Sequence, residues 1–174
     1  TEEAVDRIGK LSGFGVSFDL EQGEIALTRE GAHSRSRIVH AGGDSTGAFV
    51  EAALANLVKQ SDVTVMEHCL VTQIIVTNET ATGVKAKNTL TGKEELFSGK
   101  NIILASGGCG QLYKHTTNSK VATGDGVSLA YWAGAEVMDL EFFQFHPTAL
   151  HLEGAPSFLI SEVLRGEGAR LLNV

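Results

Sequence analysis

Ile102-Ile103-Leu104-Ala105-Ser106-Gly107-Gly108 is a short, fully apolar run that enters a glycine turn. Uninterrupted apolar character suits a strand covered on both faces, so the run predicts a buried parallel strand whose end exposes backbone amides to a ligand. Outward from it, Gly124-Asp125-Gly126 introduces a helical stripe of Val127, Ala130 and Tyr131 that stops near Gly134. On the other side, Val63-Thr64-Val65 and Leu70 to Val76 are β-branched runs. Thr82 to Lys87 pairs with Glu95 to Ser98 across the Thr91-Gly92 turn, which makes a β-meander. Earlier still, Asp44-Ser45-Thr46-Gly47 offers a capping hydroxyl to a helix over 48–59 with Phe49, Ala52, Ala53 and Leu57 on one stripe. Val16-Ser17-Phe18, Glu24 to Thr28 and Arg37-Ile38-Val39 read as brief extended pieces, and Val5, Ile8 and Leu11 as an amphipathic helix stopped at Gly13. The class predicted is α/β.

Composition narrows the function classes. The chain has 174 residues, a 43% hydrophobic content and no apolar run near the roughly 18 residues that would span a bilayer. Its start, Thr1-Glu2-Glu3, is too acidic for a signal peptide, so a cytoplasmic location is the default expectation. Twenty-one acids against 14 bases give a net charge of −7, which argues against nucleic acid or an anionic membrane as partner and for a small-molecule ligand. Cys69 and Cys109 lack paired spacing, so reduced thiols are expected rather than a disulfide or zinc site. Asn78-Glu79-Thr80 matches a glycosylation acceptor by chance. Twenty glycines against two prolines suit tight turns and close backbone approaches, as in a nucleotide-binding domain.

Several residues have the chemistry of a site. Ser106-Gly107-Gly108 and Gly124-Asp125-Gly126 can present N–H groups to phosphate or reduced-flavin oxygens, yet each read alone is equally an ordinary glycine turn. No G-x-G-x-x-G occurs in the chain, so it lacks the usual pyrophosphate loop. The spacings His33/His40 and His146/His151 do not make a metal pair. His146, fixed by Pro147 beside Thr148 and the aromatic cluster Phe142, Phe143 and Phe145, is either a donor to a carboxylate or a structural histidine. Glu162 and Arg165 stand three apart on a helix, where a surface pair would contribute under about 1 kcal/mol. Gly166 and Gly168 just after them permit close approach and favour a buried functional pair. Glu30, flanked by Arg29 and Gly31, is by itself a solvated carboxylate.

Seven blocks together carry a resemblance. They are Leu27-Thr28-Arg29-Glu30-Gly31-Ala32-His33-Ser34, Arg37 to Ala41, Asp44 to Gly47, Leu104 to Gly108, Thr123 to Gly126, Glu141 to Leu150 (EFFQFHPTAL) and Ser161 to Ala169 (SEVLRGEGA). In order and spacing the chain resembles an internal stretch of the L-aspartate oxidase family, within the succinate dehydrogenase and fumarate reductase flavoprotein superfamily. The resemblance implies part of an FAD-binding domain with a β-meander over 1–138 and the start of an inserted α+β capping domain over 139–174. It implies that the Leu70-Val71 backbone and Asp125 touch FAD and that Ser106-Gly107-Gly108 lies beside it. His146 and Ser161 would hold a substrate carboxylate, Thr being usual at the second position. Glu162 and Arg165 resemble a proton-relay pair, and Glu30 matches an acid that faces the substrate amino group.

The activity implied is FAD-dependent oxidation of L-aspartate to iminoaspartate in NAD biosynthesis. Oxygen or fumarate would be the electron acceptor, with functional coupling to quinolinate synthase. A glycine-rich FAD loop is expected before Thr1 and a catalytic arginine beyond Val174, so these residues alone are expected to bind FAD weakly or not at all and to be inactive. The FHPT and RGEG blocks also fit a succinate dehydrogenase or fumarate reductase flavoprotein subunit, against which the TREGAHS block speaks. A third reading is a non-catalytic folded fragment.

Overall fold

In a computed structural model that describes residues 2–155 and 157–172, the first stretch is helix α1, Ala4–Gly13. Its Ile8 and Leu11 pack on a small core of Val16, Phe18 and Ala41, which is the stripe that the 3.6-residue period predicts. Val16 and Phe18 form no strand. They run extended beneath the helices, with the Val16 amide donating to Leu11 O. Strands β1 (Leu20–Glu21) and β2 (Glu24–Ile25) then make a hairpin. Its two turn residues, Gln22 and Gly23, both have positive φ, the geometry that matches strand twist. Strands β3 (Leu27–Thr28) and β4 (Ile38–Val39) pair antiparallel. Asp19 ties the layers together, since its two carboxylate oxygens accept from Gly42 N and Gly43 N, each at 2.9 Å.

Helix α2, Thr46–Lys59, lays Val50 and Ala53 on the same core. The expected capping hydroxyl acts differently from a helix cap. Ser45 caps nothing through its side chain, while Thr46 Oγ1 accepts from Ala41 N at 3.1 Å and ties the helix start back to the core. These elements, with residues from Ile160 onward, form one of two compact units; the second is Met66–Leu159.

The second unit is organised by the meander. Strands β5 (Cys69–Thr77), β6 (Thr80–Asn88) and β7 (Glu94–Ser98) form a three-stranded antiparallel sheet in that order. Asn78 and Glu79, both at positive φ, close the first turn. Asn88 closes the second, its side-chain oxygen accepting from Leu90 N and Thr91 N. Ile74 and Ala86 are the buried apolar residues of the sheet. Helix α3, Asp125–Trp132, packs on β5 and ends at Gly134, whose φ is +91°. Short strands β8 (Ala149–Leu150) and β9 (Phe158–Leu159) pair antiparallel. The last element is the single turn α4, Val163–Gly166, which belongs to the first unit.

Several expectations fail. Of the stripe Phe49, Ala52, Ala53 and Leu57 on α2 only Ala53 packs on the core, beside Val50, while the other three are exposed. Val5 of α1 and Val127 and Tyr131 of α3 are exposed as well. Ile102 to Ala105 pairs with no strand among the described residues, and Ile103 is 88% exposed. A parallel strand exists only by its neighbours' hydrogen bonds, and apolar character alone supplies none. Val63-Thr64-Val65 is likewise outside any sheet and exposed.

Glycine makes the meander possible at one point. A Cβ on Gly83 would run into the carbonyl oxygen of Phe97 on β7, so Gly83→Ala is expected to lower stability by about 1–3 kcal/mol. Gly9 sits inside α1 with nothing within 4 Å of an added Cβ, and Gly9→Ala should raise stability by about 0.5–1 kcal/mol. Urea unfolding midpoints check both, and shifts of the same sign would contradict the packing described. Across β6 and β7, Lys85 Nζ lies 2.6 Å from Glu94 Oε2. The hydrogen bond from Lys85, then its charge, holds the Glu94 carboxyl below its ordinary value. The pair's contribution is therefore present above the usual carboxylate range and lost as pH falls through the lowered pKa. Lys85→Met should remove that part of the acid dependence in pH-resolved unfolding.

Candidate flavin and dicarboxylate site

In the second unit the glycine turn and a helix start are built against each other. Gly124 N donates to Gly108 O at 3.1 Å. A Cβ on Gly124 would come within 2.8 Å of Cys109 Cβ, and one on Gly126 would collide with Ser106 Oγ. The start of α3 therefore seats on the Ser106-Gly107-Gly108 turn only because these positions lack side chains. On its open side the turn is exposed, Gly107 has a φ of +76°, and nothing stands within 4 Å of a Cβ at Gly107 or Gly108. Bare backbone beside a helix N-terminus is suited to phosphate or flavin oxygens, so the residues fit a flavin nucleotide.

Asp125 is exposed at that helix start, its carboxylate accepting from Thr123 Oγ1 at 2.7 Å. Thr123 thereby fixes the Asp125 carboxylate, a pairing that the motif's spacing alone does not reveal. Leu70 and Val71 lie on β5, an edge of the sheet, opposite Lys87 and Ala86. Alternate peptide groups on the outer side of such an edge face away from the ladder and can meet a ligand.

His146 lies in the same unit, in a cleft of about 320 Å³ lined by Tyr113, His115, Phe143, Phe145 and His151 among others. The aromatic cluster predicted here holds together: Tyr113 and Phe143 centroids are 4.6 Å apart, and Tyr113 and Phe145 4.9 Å. His146 Nδ1 lies 3.0 Å from Thr148 O and 3.2 Å from Thr148 N. The local backbone can thus serve either tautomer, as an acceptor of Nδ1–H or as a donor to bare Nδ1. In the latter state the neutral ring carries its proton on Nε2.

The other sequence-predicted residues gather in the first unit. Ser161 Oγ accepts from Val163 N at 3.2 Å, which starts α4 and leaves the hydroxyl proton for another acceptor. Glu162 and Arg165 form the expected ion pair, both half-buried. The loop bearing Glu30 sits on this turn: Gly31 N donates to Glu162 O at 3.3 Å and Arg29 Nη2 donates to Gly166 O at 3.0 Å. A Cβ on Gly166 would strike Arg29 O, and one on Gly31 would lie 3.2 Å from Glu162 Oε2. Glu30, Ser161, Glu162 and Arg165 are therefore brought together, while His146, Asp125, Leu70, Val71 and the Ser106 turn share the other unit. Arg29 and Gly31 escaped the sequence reading as functional residues. Their signal was the immediate flanking of Glu30 by a cation and a glycine.

A glycine cradle with a helix start and a meander beside it, within a segment of mixed helix and strand, suits a flavin nucleotide. The family model for the FAD binding domain matches residues 1–174, and the chain belongs to that family. It is 43% identical to the L-aspartate oxidase of Synechocystis sp. over 98% of this chain and 31% of that protein. It is 44% identical to the L-aspartate oxidase of Streptomyces coelicolor with the same coverage, 98% and 31%. The chain spans about a third of the length of the curated relatives it matches. Among solved structures, an E. coli quinol fumarate reductase aligns with a TM-score of 0.88 at 27% identity, covering 96% of this chain and 28% of that one. A flavocytochrome c3 fumarate reductase aligns with a TM-score of 0.78 at 26% identity, covering 95% and 30%. The FAD-binding α/β fold expected from the sequence is thereby borne out. No helix among the described residues is long and apolar enough to cross a membrane.

The seating of α3 on the turn can be tested directly. In the full-length flavoprotein Gly126→Ala should weaken FAD retention by at least about tenfold, roughly 1.4 kcal/mol, by pushing Ser106 out of place. Adding Ser106→Gly should restore much of it, since the colliding hydroxyl is then gone. Flavin-to-protein ratios after gel filtration check this, and a Gly126→Ala variant that keeps its FAD would remove the cradle.

Proposed function

We propose that this chain is the part of an FAD-dependent L-aspartate oxidase that carries the flavin-side turn and most of the substrate-facing acid, hydroxyl and relay groups. The observation that supports it most is identity of 43–44% to L-aspartate oxidases along 98% of the chain, running through the Glu30 loop. Fumarate reductases share the backbone at 27% identity, which makes a fumarate reductase or succinate dehydrogenase flavoprotein the lesser reading. On the proposed division, residues 1–138 belong to the FAD-binding domain and residues from 139 begin the capping domain.

FAD, when bound, supplies the redox step by accepting hydride from the aspartate α-carbon. The chain's own residues bind and orient. His146, from Nε2, and Ser161, from its hydroxyl, would each donate to a substrate carboxylate, and charge-assisted donors of this kind fix orientation as well as affinity. Glu30 would attract the substrate ammonium and repel a plain dicarboxylate. Glu162 and Arg165 would form the proton relay, the guanidinium keeping the carboxylate in place between transfers. Oxygen or fumarate would accept the electrons, the product would pass to quinolinate synthase for NAD biosynthesis, and the enzyme would work in the cytoplasm.

The deciding experiment uses Glu30→Gln in the full-length enzyme. Only an amino acid substrate gives that carboxylate something to recognise. Aspartate oxidation should fall by at least about tenfold, or roughly 1.4 kcal/mol, while fumarate reduction holds or improves. Equal losses with both substrates would make Glu30 structural, and a wild-type enzyme active on succinate but inert toward aspartate would sink the assignment. Separately, His146→Ala should cost on the order of 2–4 kcal/mol in kcat/KM for aspartate, and an unchanged specificity constant would take His146 out of the site.

A further inference from the structure

Glu30 has no rigid element of its own. It lies after the two-residue strand β3, in a loop where Ala32 holds a φ of +68° and His33 N donates to Glu30 O at 3.1 Å. A carboxylate on such a loop discriminates between substrates only if something fixes its place. Two contacts do so, one on each side of it in sequence, and both end on the turn that carries Glu162 and Arg165. Arg29 Nη2 donates to Gly166 O at 3.0 Å across 137 residues. Gly31 N donates to Glu162 O at 3.3 Å. Between them the backbones meet as closely as side-chain-free positions allow, because a Cβ on Gly166 would overlap Arg29 O and lie 3.1 Å from the Glu30 carbonyl carbon. The carbonyl that accepts from Arg29 is one that a helical turn leaves without an internal partner at its C-terminus.

We infer that Arg29 is a positioning residue for substrate selectivity: it registers Glu30 against the Glu162–Arg165 pair by holding the Gly166 carbonyl. This rests on the reading that Glu30 faces the substrate amino group. Arg29 itself reaches no substrate in this role. Its observed hydrogen bond is to the main chain of α4, so the role assigned to it is exerted through Glu30. Loss of the bond frees the loop on one side, and a shift of Glu30 relative to the reacting atoms is felt as a rate, since catalysis depends on sub-ångström placement.

The test compares Arg29→Ala, Arg29→Lys, Glu30→Gln and the double variant Arg29→Ala/Glu30→Gln in the full-length flavoprotein, assayed with aspartate and with fumarate. Flavin content and Tm are followed throughout. Arg29→Ala should lower kcat/KM for aspartate by about tenfold with fumarate reduction within about twofold. Arg29→Lys, which keeps a donor, should recover part of the loss. In the Glu30→Gln background the same Arg29→Ala change should cost less than about twofold, because a residue that acts through Glu30 has nothing left to position. Equal losses on both substrates, or full additivity with Glu30→Gln, would overturn the inference by making Arg29 merely structural. Should Arg29→Ala lose its flavin, Arg29→Lys carries the same comparison. A wild type inert toward aspartate, or a harmless Glu30→Gln, overturns the functional reading and the inference with it. A selective loss in Glu30→Gln beside Arg29 variants that match wild type overturns the inference alone.

Discussion

Two peptide stretches 137 residues apart touch backbone to backbone where Arg29–Gly31 meets Glu162–Gly166. That contact depends on the absence of two side chains. With Cβ atoms at Gly31 and Gly166, the loop would stand off by several tenths of an ångström or more, and neither Gly31 N to Glu162 O nor Arg29 to Gly166 O would keep hydrogen-bond length. Everything the first unit contributes to a site follows from this approach. Ser161 and Glu162 immediately precede, and Arg165 lies within, the four-residue helix α4, which is too short to hold itself, since one turn fixes several dihedrals for few hydrogen bonds. The turn persists because it is docked.

The second unit uses the same device for a different purpose. Gly124 and Gly126 lower the start of α3 onto the Ser106-Gly107-Gly108 turn, and Gly83 lets β6 approach Phe97 on β7. The chain therefore spends its glycines on close approach as much as on turns. Some of them do serve turns, as at Gly23, Gly92 and Gly134, where φ is positive and a side chain would be strained.

The parts of this architecture that were legible in the amino-acid sequence are those governed by local periodicity. The stripe of Ile8 and Leu11, the helix that starts near Ser45, the β-branched meander and the Gly134 stop all depend on neighbours within a few residues, and the structure has each of them. Ile102 to Ala105 failed for the opposite reason: its apolar run states a preference for burial, but strand character requires partners that local sequence does not specify. At Thr46 the misreading was of direction, because a hydroxyl at a helix start can serve the helix or the preceding loop, and only tertiary packing chooses. The individual residues of the site were legible as motif members. Their company was not: the seat of Arg29–Gly31 on α4 is a long-range contact, and no spacing rule links residue 31 to residue 162.

Charge order matters where the loop that bears Glu30 meets the segment that bears Glu162. Along the contact the groups run Arg29, Glu30 on one backbone and Glu162, Arg165 on the other, two cations and two anions on half-buried or exposed positions. Like carboxylates brought together repel in proportion to their desolvation. Here Arg165 pairs Glu162 directly and Arg29 flanks Glu30 in sequence, so each of these two acids has a cation beside it. On the proposed reading, in which Glu30 faces a substrate ammonium, discrimination would come from where that one negative charge is held rather than from the net charge around it. Its sharpness would be set by how little the Glu30 loop can move, and that returns the question to Gly31, Gly166 and the carbonyl that accepts from Arg29.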